Sequence, residues 1–290
     1  MTSSIELLTQ KDSQRILPEL EALFSDQSAL YPDFSSFLDD LLEIPLWRGL
    51  AGQSSPYRTL CIELAQEIDH FADDLTAEPA YHSRKHFQDV CIAMSLLLQQ
   101  HPASFVQDSG NPWSLSKDDA CLLLLCAIGH DFSHTGAVNQ QPFELEKASI
   151  AKLKFTLRNS ALPVPLLQSV LAAMEPIILS TDPAYFDQLV DRSRQTLFLP
   201  SHQNCLSMLM IEADLMASVL PMKGAALAER LAVEWRNTNP EKADFVTSLK
   251  GRLAFLRQLR FISPLAKQLG LETIRFVEIL RLENAAPPKY

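Results

Sequence analysis

An all-α fold, a compact multi-helix domain, follows from three observations on this 290-residue chain. Glycine is scarce at 8 residues, apolar residues recur at helical spacing, and β-branched runs of period two are hard to find. Hydrophobic residues make up 47% against 21% charged, enough to bury a sizeable core and far from the composition of a disordered chain.

Taken in order, Leu17 to Phe24 and Phe34 to Leu46 carry apolar residues at helical spacing, separated by the turn-like Tyr31-Pro32-Asp33, and Ser35-Ser36 begins the second segment. Trp47 reads as a core anchor before the loop Gly49 to Pro56. Leu60 to Phe71 is amphipathic and leads into Tyr81-His82-Ser83-Arg84-Lys85-His86-Phe87-Gln88-Asp89-Val90. On a helix His82 and His86 share a face, with Asp89 near enough to orient an imidazole. Taken singly, this stretch reads equally as a surface helix with two chance histidines.

Val90 to Leu98 continues as an apolar helix ended by His101-Pro102, and Ser104 to Lys117 is a loop with Ser116 as N-cap of the next helix. That helix is the apolar run Cys121 to Ile128, which ends in Gly129-His130-Asp131-Phe132-Ser133-His134-Thr135-Gly136. If the helix continues, His130 and His134 lie one turn apart on one face and Asp131 about 100° away, so all three line one cavity. Imidazole nitrogen and carboxylate oxygen suit a divalent metal. Alone, the cluster favours a hydrogen-bonded helix end. Four of the seven histidines fall in these two short stretches, however, and that clustering points to a shared site.

Beyond it come a Glu-bearing helix, Glu144 to Leu157, a helix begun at Pro163-Val164-Pro165, and an apolar segment reaching Leu179-Ser180-Thr181-Asp182. Cys205 to Leu220 is a helix whose apolar face is broken by Glu212 and Asp214. A bare carboxylate there is expensive to bury without a cation, which makes Asp214 the best candidate for a distant fourth ligand.

The formal net charge of −10 argues against long nucleic acids and anionic membranes as partners, while a small anionic substrate remains compatible if divalent cations invert the local charge. The five cysteines lack CxxC pairing, and their odd number argues against a disulfide framework. The amino terminus does not read as a signal peptide, and the longest apolar run, Ala120 to Ile128, falls far short of the ~20 residues that span a bilayer. A soluble, cytoplasmic protein is expected, with one helical domain and a frayed tail at 285–290. The oligomeric state is not encoded in any pattern found.

In ordered combination these stretches resemble the HD superfamily of metal-dependent phosphohydrolases, and more fully the catalytic domain of class I 3′,5′-cyclic nucleotide phosphodiesterases. The family's YHxxxHxxDV is similar to Tyr81-His82 with His86 and Asp89-Val90, and its HDxDHxGxxNQ to His130-Asp131, His134, Gly136 and Asn139-Gln140. Leu145-Glu146, Leu179 to Asp182, Ala213-Asp214-Leu215 and Gln258 to Ile262 resemble its later motifs in the same order. The matches span Tyr81 to Ile262, so the resemblance makes 81–284 the catalytic core and 1–80 an N-terminal helical part of the same domain.

The resemblance implies hydrolysis of cyclic AMP or cyclic GMP to the 5′-monophosphate. It assigns one metal to His86, His130, Asp131 and Asp214, with Asp131 bridging to a second held mainly by water. Zn suits the first site, and Mg or Mn the second. A hydroxide bridging the metals would attack phosphorus, and His82 would protonate the departing 3′ oxygen. His134, Glu146 and Thr181 would orient metal waters, Gln258 would bond the base edge, Phe261 would stack on its face, and Tyr81 would lie near the pocket. Two positions depart from the pattern: Ser133 stands where the family has an acid, and Ala217 where many members have an Asn that helps read the base. Two other readings stay open, an HD-type phosphohydrolase acting on another nucleotide and a non-catalytic nucleotide- or partner-binding scaffold.

Overall fold

The computed structural model describes residues 13–285 except 53–54, 103–104, 107, 109, 161 and 194–199. Among them the chain forms α-helices and a single 3₁₀ turn, with no strand. In chain order the helices are α1 (Ser13–Leu30), α2 (Phe34–Leu42), α3 (Pro45–Leu50), α4 (Pro56–Asp73), α5 (Arg84–Gln99), α6 (Lys117–Gly129), α7 (Glu144–Thr156) and α8 (Val164–Leu179). They continue with α9 (Pro183–Ser193), α10 (His202–Val219), α11 (Pro221–Trp235), α12 (Pro240–Thr247), α13 (Leu249–Gln258), α14 (Pro264–Gln268) and α15 (Leu271–Ala285). Residues 286–290 of the expected tail lie outside the described residues.

Three helices, α5, α6 and α10, pack against one another at the centre. All three are apolar around most of their circumference, so they are stable only when covered on every side. That cover comes from α1, α2, α4, α8 and α15, of which α1 and α15 also pack against each other. The first eighty residues thus supply packing surface to the central helices. Trp47 is fully buried, with its indole N–H donating to Ser95 Oγ at 2.8 Å, as expected of a core anchor. All five cysteines are buried and free.

Local chemistry explains where the expected boundaries shift. The segment Phe34 to Leu46 breaks in two, because Pro45 lacks an N–H and opens α3 at its first turn while Ile44 is extended. Helix α2 is capped by Asp33, whose side chain accepts from Ser36 N at 2.7 Å, so Ser35-Ser36 lie inside the first turn. Ser116 does cap α6, in a reciprocal capping box with Asp119. Helices α10 and α11 meet at a bend of 98° where Pro221 opens the second, and no single described helix is long and apolar enough to cross a membrane.

Candidate metal centre and active-site cavity

Both paired-histidine stretches straddle a helix end, which corrects the expectation that each pair shares one helical face. Helix α5 starts at Arg84, so His86 is helical and His82 precedes the helix. Helix α6 stops at Gly129, whose missing side chain lets Leu153 and Leu64 approach within 2.7–3.2 Å of the space a Cβ would take. After His130 the chain turns through Ser133, at φ 67°, and Gly136, at φ 76°. His134 is therefore carried by a turn. The outcome is two imidazole pairs that mix the stretches, His86 with His130 and His82 with His134.

The first pair belongs to a group that could hold a metal ion. His86 Nε2 and His130 Nε2 are 3.2 Å apart; Asp131 Oδ2 lies 3.3 and 3.1 Å from them, and Asp214 Oδ1 3.3 and 3.6 Å. Ligands held about 2.0–2.2 Å from one cation sit about 3.0–3.5 Å from each other, so His86, His130 and Asp214 together could hold a divalent ion, and Asp131 Oδ2 lies beside both imidazoles. The donor set of two nitrogens and two carboxylates suits a transition metal. Each donor comes from a rigid element: His86 from α5, His130 and Asp131 from the end of α6, Asp214 from α10. Burial alone would lower both imidazoles, but the two carboxylates outweigh it, pushing His86 up to about 9 and His130 well above its ordinary range. Burial alone would likewise raise Asp131 and Asp214, yet the facing imidazoles hold both well below the usual carboxylate range. The cluster has the charges a bound cation would otherwise balance.

The second pair is held differently. The rings of His82 and His134 stack at 3.5 Å, and His82 Nδ1 lies 2.5 Å from Glu234 Oε1 on α11. Glu234 Oε2 accepts the backbone N–H groups of Tyr81 and His82 at 2.9 and 3.2 Å. Burial would raise Glu234, but its hydrogen bonds with His82 bring it below its usual value. His82 Nε2 is left facing the metal centre, 3.9 Å from Asp131 Oδ2. His134 Nδ1 accepts from Gly136 N at 3.0 Å, and burial lowers its pKa to about 4, so the ring is neutral. Sequence reasoning missed Glu234 altogether, since it sits 152 residues from His82 on an ordinary amphipathic helix.

Asp89 is not where the helical face placed it. Its carboxylate pairs with Lys223 Nζ at 2.8 Å, and Lys223 also donates to Phe24 O at 2.7 Å, so the pair locks α5 to α11 and α1. A buried carboxylate takes the nearest cation in preference to a neutral imidazole.

Both clusters open into one cavity of about 730 Å³. Tyr81, His134, Glu146, Thr181 and Gln258 line it too, and so do Leu259 and Phe255. Glu146 accepts from Asn139 Nδ2 at 3.0 Å, and that amide also reaches Asp182 Oδ2 at 3.0 Å. The Thr181 hydroxyl donates to Ile178 O at 2.8 Å. Phe261 is not brought to the wall: it is 2% exposed, packed in the core, and its N–H donates to Glu272 Oε2 at 3.2 Å. Ser133 and Ala217, the two departures, adopt a left-handed turn and a buried helical site respectively.

No family model matches this sequence, and no curated protein does. Solved structures do. The phosphodiesterase domain of Salpingoeca rosetta rhodopsin phosphodiesterase superposes with a TM-score of 0.57 at 17% identity, covering 86% of this chain and 94% of that one. A phosphodiesterase domain of the RhoPDE fusion protein from the same choanoflagellate gives 0.51 at 18% identity over 85% and 95%. Superposition over nearly the whole length of both chains shows that this protein has the fold of a phosphodiesterase domain.

Proposed function

We propose that this chain is a metal-dependent phosphodiesterase that hydrolyses a 3′,5′-cyclic nucleotide to the 5′-monophosphate. One observation carries the reading: a cluster of His86, His130 and Asp214 with Asp131 beside it, and a carboxylate-held imidazole next to that cluster, open into one cavity of nucleotide size. His86, His130, Asp131 and Asp214 would hold a divalent cation such as Zn, and a second cation, Mg or Mn, would bind beside Asp131. When bound, the cations neutralise the phosphate's charge and acidify the attacking water.

The chain's own residues do the rest. His82, its Nδ1–H donated to Glu234, presents Nε2–H to the cavity and delivers that proton to the 3′ oxygen as the P–O3′ bond breaks. The new P–O bond is made by water, and His82 recovers a proton from solvent, so the sum is substrate plus one water. His134, neutral and stacked on His82, and Glu146 and Thr181 further along the wall are placed to orient water. Tyr81 and Gln258 flank the substrate. Residues 81–284 act as the catalytic core, and 1–80 belong to the same domain, a division supported by the Lys223 link to α1.

Because Phe261 is away from the wall, the base clamp is looser than the resemblance implies, which favours as second reading an HD-type phosphohydrolase acting on another nucleotide. Hydrolysis of cyclic AMP and cyclic GMP with added Mn or Mg, with His82→Ala as control, decides between them. Turnover lost in the variant supports the cyclic substrate. Bound metal without turnover of either sinks it in favour of the wider class.

A further inference from the structure

The cavity extends past the metal centre along α10. Asp214 and Ser218 both line it and lie one turn apart, about 6 Å along the axis. At Ser218 the wall includes a buried cation, Arg252, only 9% exposed. Its Nη1 donates to Ser218 O at 2.6 Å and its Nη2 to Leu220 O at 3.0 Å, carbonyls at the bend between α10 and α11, the second of which also accepts Gly224 N. Gly224 makes room for it, since a Cβ there would come within 2.4 Å of Nη2. Among the described residues no carboxylate pairs with Arg252. Two acids act on it through space: Glu278, bonded at both oxygens to Arg281 at 2.6 and 2.8 Å, and Glu21, whose oxygens accept Met222 N and Lys223 N.

A guanidinium carries five N–H donors and accepts nothing. Two of the five are used at the helix bend, and Arg252, its guanidinium carbon 5.8 Å from the Phe255 ring, is one of the residues lining the cavity. The neighbouring lining is apolar, including Leu227, Phe255 and Leu259, and Gln258 lies on the same helix as Arg252, 6 residues on. Beside Arg252 the lining carries one lysine, Lys242, among mostly apolar side chains, a poor site for a second phosphate, which needs several donors. It suits the edge of a flat ring that carries a carbonyl oxygen, the pairing arginine makes with guanine O6 and N7. Adenine would turn its N6 amino group, a donor, toward donors.

On the phosphodiesterase reading, we propose that Arg252 makes the inner end of this cavity a subsite for an oxo-purine, so that the chain prefers guanine or hypoxanthine nucleotides over adenine. The amide of Gln258 serves either base by turning over, and Arg252 is the group that cannot.

Calorimetric titration of the metal-loaded full chain with guanosine, inosine and adenosine 5′-monophosphates tests this without turnover. The expected result is guanosine and inosine monophosphates within a few-fold of each other, and adenosine monophosphate weaker by at least about tenfold. In Arg252→Met the first two weaken by about tenfold and the third changes little. Arg252 also braces the helix bend, so if that variant unfolds, the wild-type order of inosine against adenosine monophosphate still decides. Adenosine monophosphate bound equally or more tightly overturns the subsite while leaving the phosphodiesterase reading intact. A folded variant that weakens all three alike does the same and leaves Arg252 a structural brace. No binding and no turnover of any nucleotide by wild type overturns both.

Discussion

Glu234 Oε1 sits 2.5 Å from His82 Nδ1, and its other oxygen takes the backbone N–H groups of Tyr81 and His82. One carboxylate thus sets both the chain and the ring of the proposed proton donor. Its attraction fixes the proton on Nδ1 and turns Nε2 to the cavity, a fixed tautomer that a lone imidazole lacks.

Glu234→Gln keeps the shape and removes the charge. A fall in kcat of about 10–100-fold is expected, with bound metal unchanged, against about 100–10,000-fold for His82→Ala. Steady-state kinetics beside metal analysis check this. Equal loss of metal and activity would mean that Glu234 serves the metal centre instead.

Gly136 supports the same pair from behind. It has φ 76°, and a Cβ there would lie 2.5 Å from Glu234 Cγ. Gly136→Ala combines backbone strain with displacement of Glu234, so it should cost more than about 1 kcal/mol of stability and lower kcat as Glu234→Gln does. Urea unfolding with kinetics measures both, and wild-type behaviour in each would refute the contact.

The metal centre should be visible as linkage. Chelation is expected to abolish turnover and lower Tm, with Mn or Zn restoring both, because a ligand that binds only the folded state stabilises it. Asp214→Ala or Asp131→Ala should remove the metal seen by elemental analysis along with activity. Full activity in Asp131→Ala would rule out the shared-carboxylate arrangement.

How much of this was legible in the sequence divides by distance along the chain. The helical spacing of apolar residues and the scarcity of glycine are local signals, and the fold class followed from them, while the four histidines in two short stretches marked a site. The pairing of His86 with His130 and His82 with His134 was not legible, because both i,i+4 pairs straddle a helix end and the helical rule applies to neither. Glu234, Lys223 and Arg252 were invisible for another reason. Each is one charge on an amphipathic or short helix, given meaning only by partners 152, 134 and 34 residues away.

Glu212 carries the pH dependence that is easiest to isolate. Its side chain is 1% exposed; Oε1 accepts Ile262 N and Ser263 N at 2.6 and 2.8 Å, and burial raises its pKa from 4.5 to about 7. The folded state therefore holds a proton that the unfolded state has released. Its stabilising contribution is complete below about pH 4.5 and lost as pH rises through about 7, at no more than about 1.4 kcal/mol per pH unit. Glu212→Gln keeps the acceptor oxygen and cannot ionise. Urea unfolding at a series of pH values from 5 to 8 should show a flatter profile for the variant, and identical profiles would mean the carboxyl ionises freely in the fold.

Asp89 and Lys223 form the buried pair beneath the metal centre, 3% and 6% exposed, one turn along α5 from His86. Lys223→Met removes the cation and strands Asp89 in the core, which should cost about 3–5 kcal/mol. Asp89→Leu alone strands the ammonium, whose remaining bond is to Phe24 O. The double variant leaves no buried charge and should recover most of the loss, because desolvating two ions cancels much of their attraction. Stability measured across this double-mutant cycle separates two roles. If the double variant regains stability and activity together, the pair only fills the core; if stability returns while metal affinity stays low, the pair positions His86.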